Sequence, residues 1–110
     1  MHDEQVIVEI RTTVPRREAA IALAERLVTE GLAACVQVDG PMTSIYRWQG
    51  VVEQTVEFRC TCKTTEGRAA ACTAAILAEH EYDTPEVLVG RFQASPAYAA
   101  WVRETVGHPA

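Results

Sequence analysis

A two-residue turn signal, Gln49-Gly50, joins two extended segments, and this long hairpin constrains the fold more than any other feature of the chain. The return segment from Val51 to Thr64 alternates in character. Val56, Phe58, Cys60 and Cys62 share one face, and Glu57, Arg59, Thr61 and Lys63 share the other, as a period of two requires. An arm of about thirteen residues at ~3.3 Å each extends about 43 Å, whereas a helix of about fifteen residues covers only about 23 Å. The far end of the arm, with Tyr46 and Trp48 on one face, therefore outreaches any helix the chain lays against it. Exposed aromatics on an unpaired strand promote aggregation unless a partner covers them. The simplest cover is another copy of the chain, so a closed homo-oligomer is expected.

The rest of the chain alternates strand and helix patterns without repeats or linkers. Val6 to Arg11 is short and β-branched, and Thr13-Val14-Pro15 leads into a helix with Pro15 in its first turn. From Arg16 to Glu30, Ala20, Leu23, Ala24 and Leu27 recur at helical spacing, and Gly31 stands where a left-handed cap is wanted. Leu32 to Val38 reads as a second strand, interrupted at Pro41 and resumed from Thr43 to Trp48. A second helix is predicted from about Glu66 to His80, with Cys72, Ile76 and His80 in one row. Val87 to Phe92 reads as a final core strand. Ser95-Pro96 then opens a helix whose apolar stripe is Tyr98, Trp101, Val102 and Thr105, with Tyr98 and Trp101 as anchors to the sheet. The order βαββαβ plus a terminal helix predicts an α+β, ferredoxin-like arrangement with both main helices on one face of an antiparallel sheet. At 110 residues, 48% apolar, residues 1–110 are expected to form a single domain.

A net charge of −5 supplies no basic stripe, so no nucleic-acid partner is expected. The start, Met1 to Gln5, is polar and acidic, and no apolar run approaches the ~18 residues of a membrane span. A cytoplasmic protein with no membrane partner is the expectation. Cys35, Cys60, Cys62 and Cys72 are expected to be reduced, because a chain with this much Val, Leu and Ala needs no disulfide staples. Cys60-x-Cys62 puts two thiols on one strand face, but Val56 and Phe58 share it, and both thiols read as core. Cys72 reads as core too.

His80 is the leading metal-ligand candidate, since imidazole binds Cu and Zn and Glu79, Glu81 and Asp83 are close in sequence. The competing reading puts His80 in the last turn of the second helix, beside Ile76. Glu86 is either a further ligand or a cap of the Pro85 turn. Cys35 looks toward the polar side of the sheet or packs as a small hydrophobe at a subunit contact. Lys63 either neutralises an anion in a cleft or joins Glu57 and Arg59 in ion pairs. Tyr46 and Trp48 suit subunit packing at the arm's end.

Ala33-Ala34-Cys35-Val36, Ser44-Ile45-Tyr46-Arg47-Trp48-Gln49-Gly50, Lys63-Thr64, His80-Glu81-Tyr82-Asp83-Thr84-Pro85-Glu86 and Tyr98-x-x-Trp101 follow in an order and spacing that resembles the CutA family of CutA1-like divalent-cation tolerance proteins. The resemblance covers about residues 6–106. It implies a homotrimer of ferredoxin-like protomers, assembled like the PII signalling proteins, that binds divalent metal ions such as Cu(II) and takes part in the response to them. The candidate residues are then Cys35, Lys63 and Tyr82 for a ligand cleft, His80, Glu79 and Glu86 for a metal ion, and Tyr46 and Trp48 for the trimer interface. Some relatives carry a cysteine where this chain has Thr12, and a second histidine where it has Glu79; Glu81 replaces a proline. With softer ligands gone, a mixed imidazole and carboxylate site for Cu(II) or Zn(II) is the form the resemblance implies, and no cofactor is expected to be required for folding. The alternative is a PII-like signalling or scaffold trimer that holds a small effector or an unidentified protein partner at its clefts. An enzyme is not expected, since no phosphate loop, serine elbow or thiol–imidazole spacing is present.

Overall fold

A computed structural model describes residues 5–107; residues 1–4 and 108–110, which include most of the polar start, lie outside the described residues. The order is β1 (Val6–Val14), α1 (Arg17–Thr29), β2 (Cys35–Trp48), β3 (Val51–Thr64), α2 (Glu66–Glu79), β4 (Val87–Gln93) and α3 (Pro96–Val106). The strands form one antiparallel sheet in the order β2-β3-β1-β4, the ferredoxin-like topology that the element pattern predicts.

Alternation along β1 builds two different faces. Val8, Ile10 and Val14 enter the main core with Cys60 and Cys62 of β3, Leu23 and Leu27 of α1, and Cys72 and Ile76 of α2. Each fully buried Leu or Ile in this layer contributes roughly 1.5–3 kcal/mol of burial free energy. Ile7 points the other way and packs under α3 with Ala34, Ala99, Val102 and Val106. α3 thus covers one end of the second face. Beyond it, Glu9, Arg11 and Thr13 share that face with Lys63, Thr61 and Arg59, their partners across the ladder.

The local signals that stop and start elements hold. Gly31, at φ +71°, ends α1: its N–H donates to the Val28 carbonyl and the Leu32 N–H to the Leu27 carbonyl, a Schellman closure. Gln49 (φ 51°) and Gly50 (φ 81°) make the tight turn that pairs Trp48 with Val51. Ser95 caps α3 by accepting from the Tyr98 N–H, with Pro96 in the first turn.

Four expectations are corrected. β2 starts at Cys35 rather than Leu32 and runs unbroken through Pro41, because the register shifts between Asp39 and Met42 and leaves Gly40 and Pro41 out of the ladder. Pro15 precedes α1 instead of lying in its first turn. His80 is not in α2: it caps the helix in extended conformation (φ −71°, ψ 138°), which takes its side chain out of the Cys72–Ile76 row. Lastly, α3 buries its small face, Ala99, Val102 and Val106, and leaves Tyr98 and Trp101 exposed, stacked on each other at 5.7 Å.

The hairpin of β2 and β3 spans fourteen residues in each strand, and the molecule's longest dimension is 45 Å. β1 pairs with β3 only as far as Phe58, so the arm beyond it, bearing exposed Ile45, Tyr46, Trp48, Val51, Val52 and Val56, has no β1 neighbour.

Candidate functional site

The segment 80–86 links α2 to β4 and folds back against the arm. Its anchor is His80. The Tyr82 backbone N–H donates to Nδ1 at 3.1 Å, and since an N–H only donates, Nδ1 carries no proton. Nε2 therefore holds the ring proton and donates toward the Thr13 carbonyl (2.9 Å) and Thr12 Oγ1 (3.0 Å). Both ring nitrogens are engaged in this arrangement, and a metal ion would have to displace the Tyr82 N–H to reach a lone pair. Arg16 grips Glu81 with both guanidinium ends, at 2.6 and 2.8 Å, tying the segment to the start of α1.

Tyr82 completes the brace. Its hydroxyl donates to Glu57 Oε2 at 3.0 Å. Burial, followed by that hydrogen bond to a carboxylate, pushes the Tyr82 phenol up to about 12, so it remains a donor at neutral pH. Between this segment and the arm lies a cleft of ≈ 790 Å³ lined by Tyr46, Trp48, Thr55 and Glu57 of the arm and by Tyr82, Asp83 and Glu86 opposite. Tyr46, Trp48 and Tyr82, drawn from separate motifs, meet here.

The other candidates are elsewhere. Glu79 forms an ion pair with Arg26 of α1 and does not line the cleft. Lys63 donates to Glu9 at 2.6 Å, and Arg11 donates to the other oxygen of the same carboxylate at 2.8 Å. Burial raises the Glu9 pKa, but the hydrogen bonds and charges of Lys63 and Arg11 outweigh it, and the net shift is downward. Cys35, half-buried, sits opposite Lys63 on the polar face. His80 reaches β1 three residues along from Glu9, about 10 Å of strand, so Cys35 and His80 make no thiol–imidazole pair. Cys60 and Cys62 are fully buried, as is Cys72. Burial, with the nearby Asp39 charge, raises the Cys60 thiol to about 11 and keeps it protonated.

Sequence reasoning missed Glu57 and Arg16 as parts of this site. Glu57 is legible as a polar-face residue, but its bond to Tyr82 spans 25 residues, and Arg16 meets Glu81 across 65. Among the described residues, no three His, Cys, Asp or Glu side chains converge on a point that would hold a metal ion. The described residues of one chain thus do not form a closed metal centre.

A family model described as CutA1 divalent ion tolerance protein matches residues 8–105. The chain is 38% identical over 96 residues to the divalent-cation tolerance protein CutA of Thermus thermophilus, a match covering 86% of this chain and 93% of that protein. Among solved structures, CutA from Synechococcus elongatus aligns with a TM-score of 0.88 at 35% identity, covering 94% of this chain and 92% of that one. CutA1 from Oryza sativa aligns with a TM-score of 0.88 at 32% identity, over 94% and 96% of the two chains. The motif order, the ferredoxin-like fold and these likenesses agree, and the chain belongs to the CutA1 family of divalent ion tolerance proteins.

Proposed function

We propose that the protein acts as a homotrimer that binds divalent metal ions such as Cu(II) and takes part in the response to them, with carboxylates at the cleft as the first contacts. The observation that carries this reading is that Glu86 and Asp83 line the cleft without a hydrogen bond or ion pair among the described residues. His80 and Glu79 are held by protein partners, which leaves Glu86 as the ligand this chain offers, and a neighbouring copy supplies the remainder. Carboxylate oxygens suit hard and borderline divalent ions, consistent with Thr12 standing where a thiolate would favour Cu(I). An anionic effector is a poorer fit: no Lys or Arg lines the cleft, and Lys63 is paired with Glu9. Four cysteines without a disulfide support placement in the reducing cytoplasm.

Calorimetric titration of the metal-free oligomer with Cu(II), Zn(II) and Mg(II) tests the metal reading. Saturable Cu(II) or Zn(II) binding is expected, weakened about tenfold or more in Glu86→Gln. Binding indifferent to Glu86→Gln would overturn the assignment.

The trimer is supported by apolar surface that a lone protomer leaves in water: Ile45, Val51 and Val52 on the arm, and Leu88, Val89 and Phe92 on the edge strand β4. Trp48→Ala is expected to weaken assembly about 30-fold, the loss of one central aromatic, and His80→Ala to weaken it far less. Sedimentation of both variants decides this, and an intact Trp48→Ala trimer beside a dissociated His80→Ala protein would sink the proposed interface.

A further inference from the structure

We propose that the cleft between the arm and the segment 80–86 also binds small organic ammonium ions. Its volume, ≈ 790 Å³, is far larger than a bare metal ion needs and falls in the ~300–1,000 Å³ range of small-molecule sites. Tyr46, Trp48 and Tyr82 contribute aromatic rings, and Glu57, Asp83 and Glu86 contribute carboxylates, with no Lys or Arg in the lining. Aromatic rings attract a cation through their quadrupole, and methylated ammonium groups are the ions whose diffuse charge and apolar surface match rings and carboxylates together. A bare divalent ion instead wants several oxygens converging at ~2.0–2.6 Å, which the described residues of one protomer do not offer.

The two sides of the cleft differ in how they are held. Tyr82 is fixed at both ends, its N–H on His80 Nδ1 and its hydroxyl on Glu57. The negative charge at its mouth is free: Glu81 is neutralised by Arg16, whereas Asp83 and Glu86 have no partner among the described residues. With Tyr82 already fixed and the carboxylates of its own segment unpaired, that side of the cleft needs little reorganisation on binding a cation. This inference goes beyond the metal reading and uses different atoms, the ring faces. The trimer proposed above sets the cleft at a subunit boundary, so the test uses the intact assembly.

Trp48 fluorescence, read in a Trp101→Phe background, follows occupancy directly. Choline and tetramethylammonium are titrated in metal-free buffer against 3,3-dimethylbutan-1-ol, the uncharged isostere of choline. Saturable change with at least a tenfold preference for choline over the alcohol is expected, declining as KCl rises and abolished in Asp83→Asn/Glu86→Gln. Equal response to the alcohol would reduce the cleft to an apolar groove and overturn the proposal. Absence of saturation in the intact assembly would mean that a neighbouring copy fills the cleft, which overturns it equally. Because Tyr82→Leu removes a ring and leaves both Trp48 and Glu86 in place, loss of choline binding with metal binding retained separates this inference from the metal reading.

Discussion

Gly40→Ala is expected to destabilise the protein by about 2–4 kcal/mol, the sum of a strained backbone and a steric overlap. Gly40 sits in the bulge of β2 at φ +137°, a region that side chains carrying a Cβ rarely enter. A Cβ there would lie 2.8 Å from Phe58 Cδ2, 3.0 Å from the Glu57 carbonyl oxygen and 3.2 Å from Phe58 Cα. Two of those three atoms are backbone of the partner strand, and they move only if the β2–β3 ladder moves. Phe58 packs on the main core, so a shift there spreads to the layer beneath α1. Gly50, in the hairpin turn at φ +81°, is the internal control, because nothing lies within 4 Å of a Cβ built on it. Gly50→Ala should cost only the conformational part, about 1 kcal/mol. Denaturant unfolding of both variants at one fixed protein concentration checks this. Equal losses at the two glycines would show that the close approach to Phe58 has no energetic weight.

The same bulge shows where sequence patterns stop being informative. Proline removes a ladder donor, so Pro41 reads as a break, yet a register shift excuses Gly40 and Pro41 from pairing and the strand continues. Local chemistry was legible wherever the cause was local: Gln49-Gly50 in the turn, Gly31 at the end of α1, Ser95 ahead of α3. The row Cys72, Ile76, His80 misled because periodicity marks a face but not the residue at which a helix ends. His80 leaves the helix to satisfy Thr12 and Thr13, partners nearly 70 residues away that no spacing rule reveals. α3 misled differently. Large aromatics look like anchors, but the gap above Ile7 and Ala34 is filled by Ala99, Val102 and Val106, and the aromatics are left for the surface. The cleft was half legible: Tyr46, Trp48 and Tyr82 stood out as motif residues, while the carboxylate that orients Tyr82 did not.

His80→Ala is the second large effect, expected at about 2–4 kcal/mol. The substitution removes the acceptor of the Tyr82 N–H and the donor facing Thr12 and the Thr13 carbonyl, and Thr12 is fully buried. Stranding buried polar groups is what makes such a loss exceed that of an ordinary surface hydrogen bond. Asn and Gln divide the network. His80→Asn places an oxygen near the Nδ1 position and should keep the Tyr82 N–H bonded, whereas His80→Gln extends an amide N–H toward Thr12 and Thr13. Each is expected to recover about half of the loss, with amide exchange at Tyr82 slowed by Asn but not by Gln. A metal-ligand role alone predicts another pattern, in which all three variants are as stable as the parent without metal and differ only when metal is added. His80→Ala is also expected to weaken choline binding without touching the ligand, because Tyr82 and the carboxylates beside it lose the anchor that holds them against the arm.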